Sequence, residues 1–193
     1  MSEFDKEFFL YLNRNHSPVL DDVMFSIRNL ILWIPLALIC FYIYTSYRKG
    51  EMKSNGLIKI ALLGILIIAQ IILCLFALPY LIDPMGGFER PVYNSEISKT
   101  INLENFDFER KEVFYSAKAC AVASIAFFLI VFHGIPKWLK VALFLWVLLI
   151  AFNRIYIGAY YPSALFASIT LGAGIGLYAY RYYYYLKNSV FII

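Results

Sequence analysis

The sequence predicts an all-α, multi-pass membrane protein: a helical bundle of about five transmembrane helices preceded by an amphipathic helix at the interface. The chain has 193 residues, of which 62% are hydrophobic and only 16% are charged. Globular domains average roughly 45–50% apolar and about 25% charged residues. The mean hydropathy of +0.69 agrees with this excess. These values exclude an ordinary soluble domain, a disordered chain and a disulfide scaffold, and they indicate lipid as the main solvent.

The first 28 residues predict two helices ahead of the membrane domain. The apolar side chains that follow helical spacing here are Phe4, Phe8, Tyr11 and Leu12. This spacing is typical of an amphipathic helix that lies on the membrane surface. Ser17 and Pro18 are residue types that cap and open a helix, so a second helix should lead into the first span. We therefore expect interfacial helices over residues 1–28 and a transmembrane domain over residues 29–193. No signal-peptide cleavage site is expected.

Five apolar segments approach the roughly 20 residues that a helix needs to cross a bilayer. They are Leu30–Tyr47, Gly56–Ile82, Val113–Phe132, Leu139–Phe152 and Ser163–Tyr180. The fourth segment is short, but Trp138 and the residues beside it extend it. The fifth is followed by four consecutive tyrosines, which are typical of an aromatic belt at the membrane interface.

Cysteines and glycines within these spans predict packing. Cys40, Cys74 and Cys120 lie inside apolar runs and lack the spacing of a zinc site, so we expect free thiols that pack as small hydrophobic side chains. We expect no metal ion and no cofactor. Gly172 and Gly176 form a small-residue face in the fifth span. This face suits either packing within the monomer or docking against another membrane protein.

The two sides of the predicted bundle differ in their acidic residues. Lysines and arginines follow spans one, three and five, where Glu51 is the only acid, and the other 12 of the 13 acidic residues lie on the opposite side. Because cytoplasmic loops carry the excess of Lys and Arg, we expect a cytoplasmic C-terminus. The N-terminus and the loop over residues 83–112 should then face outward, on the periplasmic side of the cell (inner) membrane.

Two polar segments on the outward side are too specific for plain connectors. The first, at residues 83–91, reads DPMGGFERP, and the second, at residues 153–164, reads NRIYIGAYYPSA. Between them, Ser116 and Lys118 lie in the first turns of the third span. A lysine costs about 2.5–3.5 kcal/mol at the centre of a transmembrane helix and less near its end. Lys118 should therefore either reach outward to water or meet an anion.

In order and spacing, these residues resemble the type 2 phosphatidic acid phosphatase (haloperoxidase-related) family of membrane enzymes. That family carries Lys-x6-Arg-Pro, then Pro-Ser-Gly-His or Ser-Ser-His, then Ser-Arg-x5-His-x3-Asp. The matching positions here are Asp83 with Arg90-Pro91, then Tyr115-Ser116-Ala117-Lys118, then Asn153-Arg154 with Tyr160 and Ala164. Flanking segments match as well, so the resemblance covers nearly the whole chain.

The resemblance implies the fold of a phosphatase without its chemistry. In the family, the third-motif histidine attacks phosphorus, the aspartate orients it, and the second-motif histidine protonates the leaving group. Those positions are Tyr160, Ala164 and Lys118 here, and Asp83 replaces a phosphate-holding lysine. No catalytic residue is therefore expected. The candidates that remain for binding phosphate are Arg90, Ser116, Lys118 and Arg154.

Elementary chemistry supports the same interpretation. Covalent phosphoryl transfer needs an activated nucleophile and a proton donor with a pKa near neutrality. The two histidines are His16, in the N-terminal segment, and His133, at the predicted cytoplasmic end of span three. We expect structural or interfacial roles for both. The acid at Asp83 suggests an ion pair with Lys118 or Arg154, within the usual limit of about 4 Å.

The predicted function is that of a catalytically inactive accessory or scaffold subunit of a membrane complex. Its expected partners are membrane lipids and other membrane proteins, and no nucleic acid. Whether the arginines still bind a lipid phosphate stays open. An alternative is an active phosphatase for phosphatidic acid or polyprenyl pyrophosphate, with a rebuilt site in which Tyr160 is the nucleophile. A transporter of lipid-linked phosphates is a third option, but ionisable residues within the spans are scarce.

Overall fold

The computed structural model describes residues 3–13, 17–30, 56–82, 87–97, 112–132 and 135–190. Across these ranges the protein is a bundle of helices with a small two-stranded sheet, and the predicted all-helical membrane class is confirmed. The helices are α1 (Glu3–Asn13), α2 (Pro18–Leu30), α3 (Gly56–Ile72), α4 (Leu78–Ile82), α5 (Ala117–Ile130), α6 (Lys137–Tyr156) and α7 (Pro162–Val190).

Within the described ranges, three helical stretches are long and apolar enough to cross a membrane. They are Leu62–Ile82, Lys137–Tyr156 and Pro162–Leu186. The first of them joins α3 to α4 through a π-helical segment, Leu73–Ala77. Helix α5 is also apolar but has only 14 residues. The first predicted span falls almost wholly in residues 31–55, outside the described ranges, so the count of five spans stays a prediction.

Helix α5 lies at the centre of the bundle and is buried along most of its length. Its closest neighbour is α7, which faces it with Gly172 and Gly176. A Cβ atom at Gly172 would lie 2.9 Å from the Cβ of Ala123, and one at Gly176 would lie 2.9 Å from the backbone nitrogen of Phe128. Side chains are absent from these two positions because the helix backbones approach each other there. The small-residue face therefore serves packing within the monomer.

A small antiparallel sheet, which the sequence did not predict, closes one end of the bundle. Strand β1 (Phe88–Glu89) pairs with β2 (Glu112–Val113), with Phe88 opposite Val113. Gly87 allows this pairing, because a Cβ there would come within 2.6 Å of the Val113 nitrogen. The sheet joins the segment that carries Arg90 to the segment that enters α5.

Helix α1 docks on the same end of the bundle. Its inward-facing residues Asp5, Phe9 and Asn13 are spaced four apart, so they lie on one side of the helix. The Phe9 ring packs edge-on against the ring of Tyr161, with 5.6 Å between centroids. The Asn13 Nδ2 donates a hydrogen bond of 2.9 Å to the carbonyl of Ile155 at the end of α6. The apolar side chains Phe4, Phe8 and Tyr11 point away from the protein.

Candidate functional site

Four of the positions that the sequence motifs single out, Arg90, Pro91, Tyr160 and Ala164, line one small cavity at the end of the bundle closed by α1. This site cavity is lined by Asp5, Glu89, Arg90, Tyr160, Ser163 and Ala164, together with apolar neighbours. Its volume is about 10 Å³, the lower limit for holding one water molecule. The motif spacing therefore brings Arg90, Tyr160 and Ala164 together, as the family resemblance implies, but around very little free space.

The turn after α6 positions Tyr160. Gly158 adopts a φ of 68°, a left-handed conformation that favours glycine at the end of a helix. The turn is closed by hydrogen bonds from the Gly158 nitrogen to the Ile155 carbonyl and from the Ala159 nitrogen to the Arg154 carbonyl. The Gly158 carbonyl in turn accepts a bond of 3.2 Å from the Val92 nitrogen. This bond ties the Arg90 segment to the turn that carries Tyr160.

Arg90 is buried and makes its contacts within the protein. Its side chain is only 8% exposed, and its Nη1 donates a hydrogen bond of 3.0 Å to the Ala159 carbonyl. Its guanidinium carbon lies 4.7 Å from the centroid of the Tyr160 ring, within the range of a cation–π contact. The guanidinium and the phenol that replaces the family's nucleophile thus hold each other in place.

The carboxylate of Asp5 occupies the start of α7. One of its oxygens accepts a hydrogen bond of 3.0 Å from the Ser163 backbone nitrogen, and the other accepts one of 2.6 Å from the Ser163 hydroxyl. The first turn of a helix has unpaired N–H groups and a partial positive charge, so it favours an anion. Asp5 supplies that anion from another helix. Asp5 is not among the sites predicted from the sequence, where its only signal is the spacing of four residues that it shares with Phe9 and Asn13.

Replacing Asp5 by alanine is expected to lower the free energy of unfolding by about 1–2 kcal/mol, the range measured for lost helix caps. The substitution removes the acceptor for both Ser163 donors at the start of α7. The measurement is thermal unfolding of the purified protein in detergent. Glu7→Ala is the matched control, because Glu7 is an exposed acid on the same helix. Equal midpoints for the two variants would contradict the capping role.

The remaining phosphate candidates lie elsewhere among the described residues and do not line the site cavity. The Ser116 hydroxyl caps α5 by accepting a hydrogen bond of 3.3 Å from the Ala119 nitrogen, and the Ser116 nitrogen donates to the Ser168 hydroxyl at 2.8 Å. Lys118 is exposed on α5. Arg154 is only 4% exposed, near the end of α6. The hydroxyl and the backbone nitrogen of Ser116 are therefore both engaged in hydrogen bonds within the protein.

Asn153, at the position of the family's third-motif serine, fastens α2 to α6. Its Nδ2 donates a hydrogen bond of 2.6 Å to the carbonyl of Met24, and the side chain is fully buried. One turn later, the Tyr156 hydroxyl donates a bond of 2.6 Å to the carboxylate of Asp21. Two polar contacts thus join α2 to the end of α6. Asn153, a residue of the third motif, therefore serves to hold α2 and α6 together.

Burial affects the ionisation of Tyr161, which precedes α7. Removal of its hydroxyl from water, with smaller contributions from the nearby charges of Asp5 and Glu89, raises the pKa of Tyr161 to about 12 from an ordinary value near 10. The folded protein therefore holds this proton more tightly than the unfolded chain does. Stability that is present below pH 10 should fall as the pH rises from about 10 to 12.

Tyr161→Phe is expected to reduce that loss of stability, because the variant has no phenol to ionise at this position. Unfolding midpoints in detergent, measured between pH 8 and about pH 12, provide the comparison with the unmodified protein. Tyr184→Phe is the control, since Tyr184 is exposed and should leave the pH profile unchanged. Parallel profiles for the unmodified protein and Tyr161→Phe would contradict the assignment.

Several sequence-predicted positions lie outside the described residues. Asp83, His16 and His133 belong to this group, so the proposed ion pair between Asp83 and Lys118 or Arg154 stays a prediction. Within the described ranges, no group of three or more His, Cys, Asp or Glu side chains is close enough together to hold a metal ion.

Comparisons with known proteins agree with this fold. No family model matches the chain. It is 26% identical over 178 residues, 89% of this chain and 73% of the relative, to a lipid A 4′-phosphatase of Bacteroides thetaiotaomicron. The crystal structure of Aquifex aeolicus LpxE aligns with a TM-score of 0.66 at 22% identity, covering 94% of this chain and 97% of that one. The resemblance drawn from the motifs is thereby confirmed: the chain is a lipid-phosphatase-like membrane protein with the fold of the type 2 phosphatidic acid phosphatase family.

Proposed function

We propose that this protein is a catalytically inactive relative of membrane lipid phosphatases that acts as an accessory or scaffold subunit of a membrane complex. The observation that carries the proposal is the site cavity: about 10 Å³ in volume, with the Asp5 carboxylate on the start of α7. A phosphate group is several times larger than the single water that such a space admits.

The chemistry of the lining supports the loss of catalysis. A phenol at Tyr160 needs a base to become a nucleophile, and the methyl group of Ala164 cannot orient or deprotonate it. The Tyr160 ring is instead stacked beneath the guanidinium of Arg90. Two carboxylates, Asp5 and Glu89, line the same cavity and would repel a phosphate dianion.

We further propose that phosphate binding at this cavity is lost together with catalysis. Arg90, the one phosphate candidate in the described lining, already donates to the Ala159 carbonyl. An internal carboxylate, Asp5, takes the hydrogen bonds at the start of α7 that an anion would otherwise receive. Asp5 is thus an internal acid distinct from Asp83, for which the sequence predicts an ion pair with Lys118 or Arg154.

The distribution of charge supports a placement in the inner membrane with the site cavity on the periplasmic side and the C-terminus in the cytoplasm. The regions that follow the predicted spans one, three and five carry seven Lys and Arg residues and a single acid, Glu51, whereas Asp5 and Glu89 belong to the predicted opposite side; cytoplasmic loops carry such an excess of positive charge. The partners that follow from this placement are membrane lipids and the transmembrane surfaces of other subunits.

An active lipid phosphatase with a rebuilt site is the second candidate. One observation favours it: the relative with 26% identity over 89% of this chain is named a lipid A 4′-phosphatase. In that case the substrate would be a lipid phosphate, and Tyr160 would have to leave its contact with Arg90 to attack phosphorus.

Phosphate release decides between the two candidates. The purified protein is assayed in detergent and in liposomes containing lipid A, phosphatidic acid or polyprenyl pyrophosphate, with the Bacteroides relative as the positive control for each preparation. We expect no release above the protein-free background. Turnover that disappears in both Tyr160→Phe and Arg154→Ala would overturn the proposal and make Tyr160 the nucleophile.

The scaffold role has its own test. Chemical cross-linking in native membranes, followed by extraction in a mild detergent, should give a species heavier than the 22.3 kDa chain that contains a second membrane protein. We expect the same species from cells that express Tyr160→Phe, because the proposed role does not use the phenol. A chain that is recovered only as a monomer would contradict the scaffold proposal.

A further inference from the structure

Two cysteines that are distant in sequence meet in the centre of the bundle. The sulfur atoms of Cys74 and Cys120 lie 3.6 Å apart, although 46 residues separate them in the chain. Both side chains are fully buried, and both are free thiols. Cys74 belongs to the π-helical segment Leu73–Ala77, and Cys120 belongs to the first turn of α5.

The surroundings hold this pair in register. The Tyr115 hydroxyl donates a hydrogen bond of 3.1 Å to the Cys74 carbonyl, which fixes the π-helical segment against the residues that lead into α5. Ala121 and Tyr115 share the hydrophobic cluster that contains both thiols. On the neighbouring helix α7, Gly172 packs directly on the backbone at Cys120. Neither thiol can therefore move far from the other while the bundle is intact.

We propose that Cys74 and Cys120 form a redox-convertible pair that closes to an intramolecular disulfide. In this step the two S–H bonds break and one S–S bond forms. Two protons and two electrons pass to a small oxidant that can enter the apolar interior, such as dioxygen, which is reduced to hydrogen peroxide. A disulfide has an S–S distance of about 2.05 Å, so the sulfurs must approach by about 1.5 Å, which side-chain rotation can supply.

A pair of thiols that can form a disulfide explains the arrangement better than a metal site does. Within the described residues, no third His, Cys, Asp or Glu completes a group with the two thiols, and structural zinc takes four ligands. The disulfide would link the span that contains α3 and α4 to α5, which is the most buried helix of the bundle. Closing a loop of this length restricts the unfolded chain and raises stability.

The test counts thiols in the whole protein in detergent. The reduced protein is treated with copper phenanthroline, which reaches apolar interiors, then denatured and labelled with a maleimide. The reduced chain should take three labels, one for each of its three cysteines. The oxidised chain should take one label, and its unlabelled mass should be lower by two hydrogen atoms. Both changes should reverse with dithiothreitol, and the unfolding midpoint should be higher in the oxidised form.

Single variants assign the bond. Cys40→Ala should take two labels when reduced and none after oxidation, since the pair is intact. Cys74→Ser and Cys120→Ser should each take two labels before and after oxidation. Oxidation should not change the unfolding midpoint of either variant. Three labels on the oxidised unmodified chain, a disulfide that maps to Cys40, or a bond between two copies of the chain would overturn the proposal.

Discussion

We expect Gly176→Ala to destabilise the protein by about 3 kcal/mol, the upper part of the range for added atoms in a packed core. A Cβ at this position would overlap the carbonyl oxygen of Ser124 and lie 2.9 Å from the nitrogen of Phe128. These are backbone atoms of α5, so no side-chain rotation relieves the overlap. Helices α5 and α7 would have to separate, and thermal unfolding in detergent should occur at a clearly lower temperature.

Gly174→Ala is the matched control on the same helix. A Cβ at Gly174 meets no atom within 4 Å, because this residue lines an open apolar groove of about 570 Å³ between α7 and the segment at Leu73. Exchange of a helical glycine for alanine there should raise stability by about 0.5–1 kcal/mol. If Gly176→Ala and Gly174→Ala unfold at the same temperature, the stability of the protein does not depend on the close approach of α5 and α7 at Gly176.

The second large effect is expected for Phe9→Ala, at about 3–5 kcal/mol for removal of a buried phenylalanine side chain. The Phe9 ring is fully buried and packs on Tyr161 in a cluster that also contains Ile155 and Leu165. Without the ring, α1 loses its one fully buried apolar side chain and keeps only the partly buried Leu10 and Leu12 beside its polar contacts. Hydrogen exchange in residues 3–13 should therefore become fast in the variant, together with a lower unfolding midpoint.

Phe8→Ala tests the same helix from its other side. The Phe8 side chain is 42% exposed and stacks on Phe4 rather than on the bundle. The variant should retain slow exchange in α1 and nearly the midpoint of the unmodified protein in detergent. Fast exchange in both variants would mean that Phe9 is not the residue that holds α1 in place.

The sequence predicted the membrane class and the grouping of the site residues because both depend on simple regularities. Apolar runs of helical length have few alternatives to a membrane span. The motif spacing of Arg90, Tyr160 and Ala164 follows from the fold that the chain shares with LpxE, so these residues meet in one cavity. The glycine face of α7 was also readable, but its partner became known only from the contact with α5.

Contacts between distant segments could not be predicted in the same way. The apolar spacing of α1 points to Phe4, Phe8, Tyr11 and Leu12, of which Leu12 packs on the cluster around Phe9, whereas the buried residues of the helix are Asp5, Phe9 and Asn13. The partners of Asp5 and Asn13 include N–H and C=O groups at helix ends, which have no side-chain signature in the sequence. The approach of Cys74 and Cys120 depends on how α5 sits beside the π-helical segment, and nothing in their own spacing indicates it.

The contact between Asp5 and Ser163 has a consequence for the order in which the protein is made. The two residues are separated by 158 positions, so α1 leaves the ribosome early but its binding surface is synthesised near the end. Until α7 has been inserted, α1 lacks its contact with Ser163. The N-terminal segment should therefore stay accessible to protease during most of the synthesis and become protected only once Ser163, at the start of α7, is in place beside Asp5.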